Sequence, residues 1–430
     1  MSLISENSQP AESLYFTRIA DEKFKTEAVV VRFITRLDEI MSQRYTAVVS
    51  LISETNADYP EKDMFAKKLA SLYGASVNSF SYRTGDYLVC GLSAECISDK
   101  YTINKENITL ECAKLLLNCI FAPNIKDGKF DEQLFSQKKH QLIDSINNAS
   151  NNRHAYAVKK ARESAFYGEP SSVSTTGTLE NAEKLTSEIA AESYRKLLDE
   201  AVISISFCGC GNNTEARKLI SDTFTVFVSK RKNKALSLSN LISHSVVKPT
   251  PEFVTEEIEQ AQSKLVMFFK TDNVNIYADK IMSAMFGGTP FSKLFVNVRE
   301  KMSLCYYCQS GIIDCKAAML VDSGVEAGNE KIAQDEILRQ LDSLRCGDFV
   351  DEELENTKRY ICGLFRSNYD SAESLNSWYF YQFARGTHDS PDDSIKKIMK
   401  LTKDDIINSA KGFKLDTVYT LVPTGGKDDA

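Results

Sequence analysis

Apolar and polar positions change period along the chain. "GASVNSFSYRTGDYLVCGLSAE" (Gly74 to Glu95) alternates on a two-residue period and breaks at Thr84-Gly85-Asp86, predicting two strands joined by a turn. In "ITLECAKLLLNCIF" (Ile108 to Phe121), Cys112, Leu115, Leu116, Cys119 and Ile120 recur on a helical period, predicting an amphipathic helix. A later stretch, "LCYYCQSGIIDCKAAMLVDSGVEA" (Leu304 to Ala327), repeats the two-strand pattern.

The chain repeats its own plan. "FDEQLFSQKK" (Phe130 to Lys139) is followed by "LTSEI" and a strand "AVISISF". "VDEELENTKR" (Val350 to Arg359) is followed by "LTKDDI" and a strand "TVYTLV". Leu185 to Leu401 and Val202 to Val418 are both separated by 216 positions. The pattern predicts an α+β chain of two homologous tandem domains, each an antiparallel sheet with helices packed on one face. "KNKALSLSNLISHSVVKPTPEF" (Lys232 to Phe253) has no sustained period and carries Pro249 and Pro251. It reads as a linker, so the expected division is 1–231, linker 232–253, and 254–430.

Length and composition agree with two domains. The chain has 430 residues, 43% hydrophobic and 26% charged, which suits a globular protein. Its formal charge of −7 argues against a nucleic-acid partner, which needs clustered cations. The basic cluster "SKRKNK" (Ser229 to Lys234) reads as a solvated linker. No apolar run is long enough to cross a membrane. "MSLISENSQPAESLYF" has no secretory pattern, and the eleven cysteines are irregularly spaced, so the expected location is the cytoplasm, with reduced thiols.

The segment "MFGGTPFSKLFVNVREKMSLCYY" (Met285 to Tyr307) carries the candidate chemistry. Gly287-Gly288 is expected to stop one helix through a left-handed cap, with Thr289 and Pro290 opening the next. In that helix Phe291, Leu294, Phe295 and Val298 fall on one face, and Arg299 lies near its last turn. Helix-dipole stabilisation alone accounts for a cation there, and strand propensity for a tyrosine at Tyr306.

In register, however, Gly287-Gly288, Ser292-Lys293-Leu294-Phe295, Arg299-Glu300-Lys301, Leu304 and Tyr306 resemble the C-terminal-domain signature of the insulinase/pitrilysin superfamily of inverted-zincin peptidases. The likeness is to its two-domain, mitochondrial-processing-peptidase-like branch. The resemblance implies a metallohydrolase/LuxS-like fold in both halves. It also implies that Arg299 and Tyr306 bind substrate peptide beside the scissile bond and assist at the oxyanion, where a fixed cation and a phenol donor suit developing negative charge.

The zinc motif of active relatives, His-x-x-Glu-His on a helix, is absent. Its place falls near "TAVVS" (Thr46 to Ser50), and the first histidine of the chain is His140. Where the relatives carry a further glutamate, this chain has Ser145-Ile146, with Asp144 one residue off. No metal and no cofactor are therefore expected, and no catalytic residue is assigned. Cys305 and Cys308 have redox spacing, but regular strand alternation would send their sulfurs to opposite faces. "FCGCGNN" (Phe207 to Asn213) lacks the rest of a dinucleotide fingerprint. His140, His154, His244 and His388 share no ligand spacing and read as surface or linker residues.

The resemblance thus implies a non-catalytic, zinc-less subunit. It would be inactive alone and take part in metallopeptidase proteolysis only with a zinc-bearing homologous partner, as a heterodimer, or through self-association. Peptide is the expected substrate, with no nucleic-acid or membrane partner. The alternative is a structural scaffold with a vestigial peptidase chamber.

Overall fold

The computed structural model describes residues 4–211, 213–232, 238 and 240–424. The first half runs β1 (Ile4–Ala11), β2 (Leu14–Ala20), β3 (Thr26–Arg36), α1 (Met41–Ile52), α2 (Lys62–Ser71), β4 (Ser76–Thr84), β5 (Tyr87–Ile97) and α3 (Ile108–Phe121). A ribbon of β6 (Ile125–Lys126) and β7 (Lys129–Phe130) leads into α4 (Glu132–Asn147), α5 (Arg153–Ala165), α6 (Leu179–Glu183), α7 (Ser187–Glu200), β8 (Val202–Gly209) and α8 (Thr214–Ser229). The second half runs β9 (Glu252–Ile258), β10 (Ser263–Lys270), α9 (Ile276–Ser283), β11 (Cys305–Ile313), β12 (Ala318–Val325) and α10 (Glu330–Arg345). It ends with α11 (Asp351–Arg366), α12 (Ala372–Ala384), α13 (Pro391–Met399), α14 (Lys403–Gly412) and β13 (Lys414–Pro423).

The α+β class holds, and the strands show the internal repeat. One sheet is ordered β1-β2-β8-β3-β5-β4 and the other β11-β12-β10-β13-β9. Read backwards, the second matches the first strand for strand once β1 is set aside. Val202 and Val418 lie in the equivalent strands β8 and β13. The expectation of antiparallel sheets needs correction, since β2–β8 and β9–β13 pair in parallel. Both β8 and β13 enter their sheets after a helix, the connection that permits parallel pairing; hairpins such as β4–β5, turning at Gly85 (φ +56°), give the antiparallel ladders.

Helices cover both faces of the second sheet, not one. Leu265, Met267 and Phe269 of β10 point into the core beneath α9, α10 and α14, whereas Val266 and Phe268 point the other way. There they meet Ala157, Ala161 and Ala165, a stripe of small residues on α5 that lets the helix approach closely. In the first sheet Val29, Val31 and Phe33 face the main core, and Arg32 faces α12.

The chain divides into two compact units. The first is Met1–Asn147, Val173–Leu241 and Asn368–Thr387; the second is Asn148–Ser172, Ile242–Ser367 and His388–Ala430. Neither unit is one continuous stretch. Helix α5 belongs with the second sheet and α12 with the first, so single cuts at 231 and 254 do not delimit the units. Part of the expected linker, residues 233–237 and 239, lies outside the described residues, and β9 already begins at Glu252.

Candidate functional site

The expected peptide-binding segment lies in the second unit. Helix α9 passes into a widened turn at Ala284–Gly288, and a second widened helix, Leu294–Lys301, closes with the Met302 N–H bonded to the carbonyl of Asn297 five residues back. Neither Gly287 nor Gly288 is left-handed. Gly287 is instead required by close packing: a Cβ there would stand 2.6 Å from the backbone nitrogen of Ser310 on β11. The second helix starts later than its pattern suggests, because Thr289–Ser292 forms a turn closed by the Ser292 N–H on the Thr289 carbonyl. Leu294 and Val298 are buried as expected, but Phe291 stays outside the helical face, half-exposed against the edge of Tyr360.

After a left-handed Ser303 (φ +54°), β11 opens with a bulge. Cys305 pairs with Val325 and Tyr307 with the adjacent Gly324, which leaves Tyr306 as the extra residue. The bulge turns Tyr306 outward, 62% exposed, while Cys305 and Cys308 both enter the core. Regular alternation therefore fails here, and the two thiols lie close enough to interact electrostatically. The neighbouring Cys308 thiol lowers the pKa of the Cys305 thiol against the opposing effect of burial, with Ser323 and the Arg299 charge adding to the fall. The same proximity, with burial, raises that of Cys308.

Arg299 is exposed near the end of its helix, and its guanidinium stacks 4.7 Å from the centre of the Phe295 ring. Among the described residues, neither Arg299 nor Tyr306 has a hydrogen-bond or ion-pair partner. A cavity of about 350 Å³ opens beside Arg299, walled by Phe295, Thr289, Gln309 and Tyr307. The Tyr307 ring lies where Gly324 has no side chain, and its hydroxyl donates to Asp322 at 3.2 Å. His154 of α5 bonds the other oxygen of Asp322. Burial and the Asp322 charge push the Tyr307 phenol above its ordinary range. This His154–Asp322–Tyr307 cluster was not expected from the sequence: its members come from three elements, and no spacing links them.

In the first unit, the zinc position expected on α1 holds no ligand. Thr46 shares a hydrogen bond of 2.7 Å with Ser81 and donates to the Thr175 carbonyl at 3.2 Å. Valines 48 and 49 are buried. On α4, Asp144 and Ser145 are exposed, and the Ser145 hydroxyl is turned onto the Leu142 carbonyl. Thr46–Ser50 has no imidazole or carboxylate, so these residues do not fit a zinc ion. Among the described residues, no three His, Cys, Asp or Glu side chains gather at one point. The "FCGCGNN" turn is structural, since Cys210, the Gly211 N–H and Asn213 all bond the carboxylate of Glu27.

The family model "Peptidase M16 inactive domain" matches residues 184–361. The chain is 25% identical over 430 residues to the probable inactive metalloprotease YmfF of Bacillus subtilis, covering 99% of this chain and 100% of that one. An uncharacterized zinc protease of Rickettsia bellii is 22% identical over 316 residues, 70% of this chain and 71% of its own length. Among solved structures, a conserved protein from Enterococcus faecalis superposes with a TM-score of 0.88 at 26% identity, over 99% of this chain and 100% of that chain. A peptidase M16 inactive domain from Pseudomonas fluorescens superposes with a TM-score of 0.78 at 15% identity, over 98% of both chains. The chain is thus similar to proteins described as a peptidase M16 inactive domain, a probable inactive metalloprotease and an uncharacterized zinc protease, and it shares the fold of the first. No helix of the described residues is long and apolar enough to cross a membrane.

Proposed function

We propose that this chain is a zinc-less subunit of the mitochondrial-processing-peptidase-like type. It binds peptide through Arg299 and Tyr306 and assists a zinc-bearing homologous partner in the cytoplasm. The observation that carries this reading is the display of the pair: the bulge turns Tyr306 to solvent, and Arg299 stands on the neighbouring helix end with its donors uncommitted among the described residues. An uncommitted cation and phenol are available to carbonyl oxygens of a bound peptide, and each strengthens its bond as negative charge develops there. On this reading the partner supplies the metal and the attacking water, since Thr46–Ser50 carries no zinc ligand. Eleven free cysteines fit a reducing compartment.

The test mixes the purified chain with a zinc-bearing homologue and follows hydrolysis of a peptide library. Hydrolysis is expected only in the mixture. Arg299→Ala or Tyr306→Phe is expected to lower turnover by roughly ten- to a thousand-fold, the range for one oxyanion-type donor. Melting temperature should change little, since both side chains lie outside the core. If both variants keep full activity in the mixture but weaken assembly, the chain is a scaffold with a vestigial chamber.

A further inference from the structure

The first unit holds a cation with no counter-ion. Arg32, on the face of β3 that meets α12, is 5% exposed. Its Nη1 donates to Ser206 Oγ at 2.9 Å and its Nη2 to Asn376 Oδ1 at 2.6 Å, and the guanidinium lies 4.5 Å from the centre of the Phe380 ring. The Tyr82 phenol is a further close neighbour of the guanidinium. All of these partners are neutral, and among the described residues no carboxylate pairs with Arg32. A guanidinium keeps its proton even when buried, so the charge stays. Two donors are left over: Arg32 Nε and Asn376 Nδ2 are buried without partners. The Asn376 amide is fixed in orientation, because its oxygen already accepts from both Arg32 and Ser206.

Arg32 and Asn376 line a cavity of about 400 Å³ between the sheet and the first turns of α12, within the range of small-molecule sites. The N-terminal end of α12, at Ala372 and Glu373, adds partial positive charge at the same place. Glu95 and Glu373 also line this cavity and are exposed. A buried cation with two idle donors favours an anion, and the two exposed carboxylates lining the cavity disfavour a second negative charge while attracting a positive one.

We infer that this cavity binds a small zwitterion, a free amino acid or short peptide, with its carboxylate on Arg32 and Asn376 and its ammonium toward Glu95 and Glu373. The site is separate from Arg299 and Tyr306 and needs no partner chain. It lies inside one unit, closed over by a helix whose sequence belongs to the other half of the chain.

Calorimetric titration of the full chain tests it with four probes: Ala-Ala, its C-terminal amide, N-acetyl-Ala-Ala and inorganic phosphate. Ala-Ala is expected to bind once per chain. The amide, which lacks the carboxylate, should bind about ten-fold or more weakly, and the acetylated peptide should also lose affinity. Arg32→Gln should abolish binding. Because that change risks the fold, Asn376→Asp provides a second route: it supplies the missing anion internally, so it should raise the melting temperature and abolish binding. The inference is overturned if Ala-Ala shows no saturable binding, if the amide binds as well as the acid, if phosphate binds as tightly as Ala-Ala, or if Asn376→Asp binds like the wild type.

Discussion

Asp279, on the first turn of α9, should make the second unit less stable as pH rises. Its side chain is buried; Oδ1 accepts from the Ser409 hydroxyl at 2.6 Å and Oδ2 from the Asn275 N–H at 3.0 Å. Burial lifts the carboxyl from its ordinary 3.8 to about 6, the two hydrogen bonds drawing it only part of the way back. For an acid raised in this way, the folded chain keeps a proton that the unfolded chain has already given up. Stability is therefore greatest at low pH, falls as pH climbs from near 4 to near 6, and carries the full penalty above that. The shift corresponds to about 3 kcal/mol, of which about 1.4 falls between about pH 5 and pH 7.5. Asp279→Asn has no proton to lose. Urea unfolding of both proteins at the two pH values isolates the effect, because every other titrating group cancels in the difference. The wild type should lose about 1.4 kcal/mol relative to the variant on going to the higher pH. A difference between the two proteins that does not change with pH would refute the reasoning.

Gly287→Ala should cost about 1–3 kcal/mol, as the new Cβ meets the Ser310 backbone at 2.6 Å, and it should lower the melting temperature without touching any charged group. Mild treatment with a small-molecule disulfide should couple Cys305 to Cys308, read as a loss of two hydrogens by mass; Cys308→Ser should prevent it, and a wild-type chain that stays fully reduced would contradict the geometry of the bulge.

Much of the fold was legible in the sequence. The apolar stripe of Cys112, Leu115, Leu116, Cys119 and Ile120 marks α3 from Ile108 to Phe121, and the alternation about Gly85 marks β4 and β5. Periodicity succeeds there because each element buries one face in its own neighbourhood. It could not say where α5 goes. Ala157, Ala161 and Ala165 announce a face that packs closely, yet nothing in that spacing names β10 as its partner. The candidate site was legible as a pair of residues but not as a geometry. One added residue in β11 reverses the alternation, so Tyr307 and not Tyr306 walls the cavity beside Arg299, and two cysteines expected on opposite faces meet in the core. Arg32 carried no signal at all, because a lone arginine in a strand reads as an ordinary surface residue until a helix from residue 372 onward is seen to cover it.

That exchange of helices bears on how such a chain can be cut or duplicated. A fragment stopping at residue 231 would carry α5 with the alanine stripe bare and no β10 to receive it, while its own β3 and β8 would lie open where α12 belongs. The complementary fragment would expose Val266 and Phe268. Each fragment alone would be prone to aggregate, and the two mixed together should recover a soluble complex. The same logic applies to one half made alone: its helix has no sheet of its own to cover, so such a half is expected to exchange that helix with an identical copy and to pair.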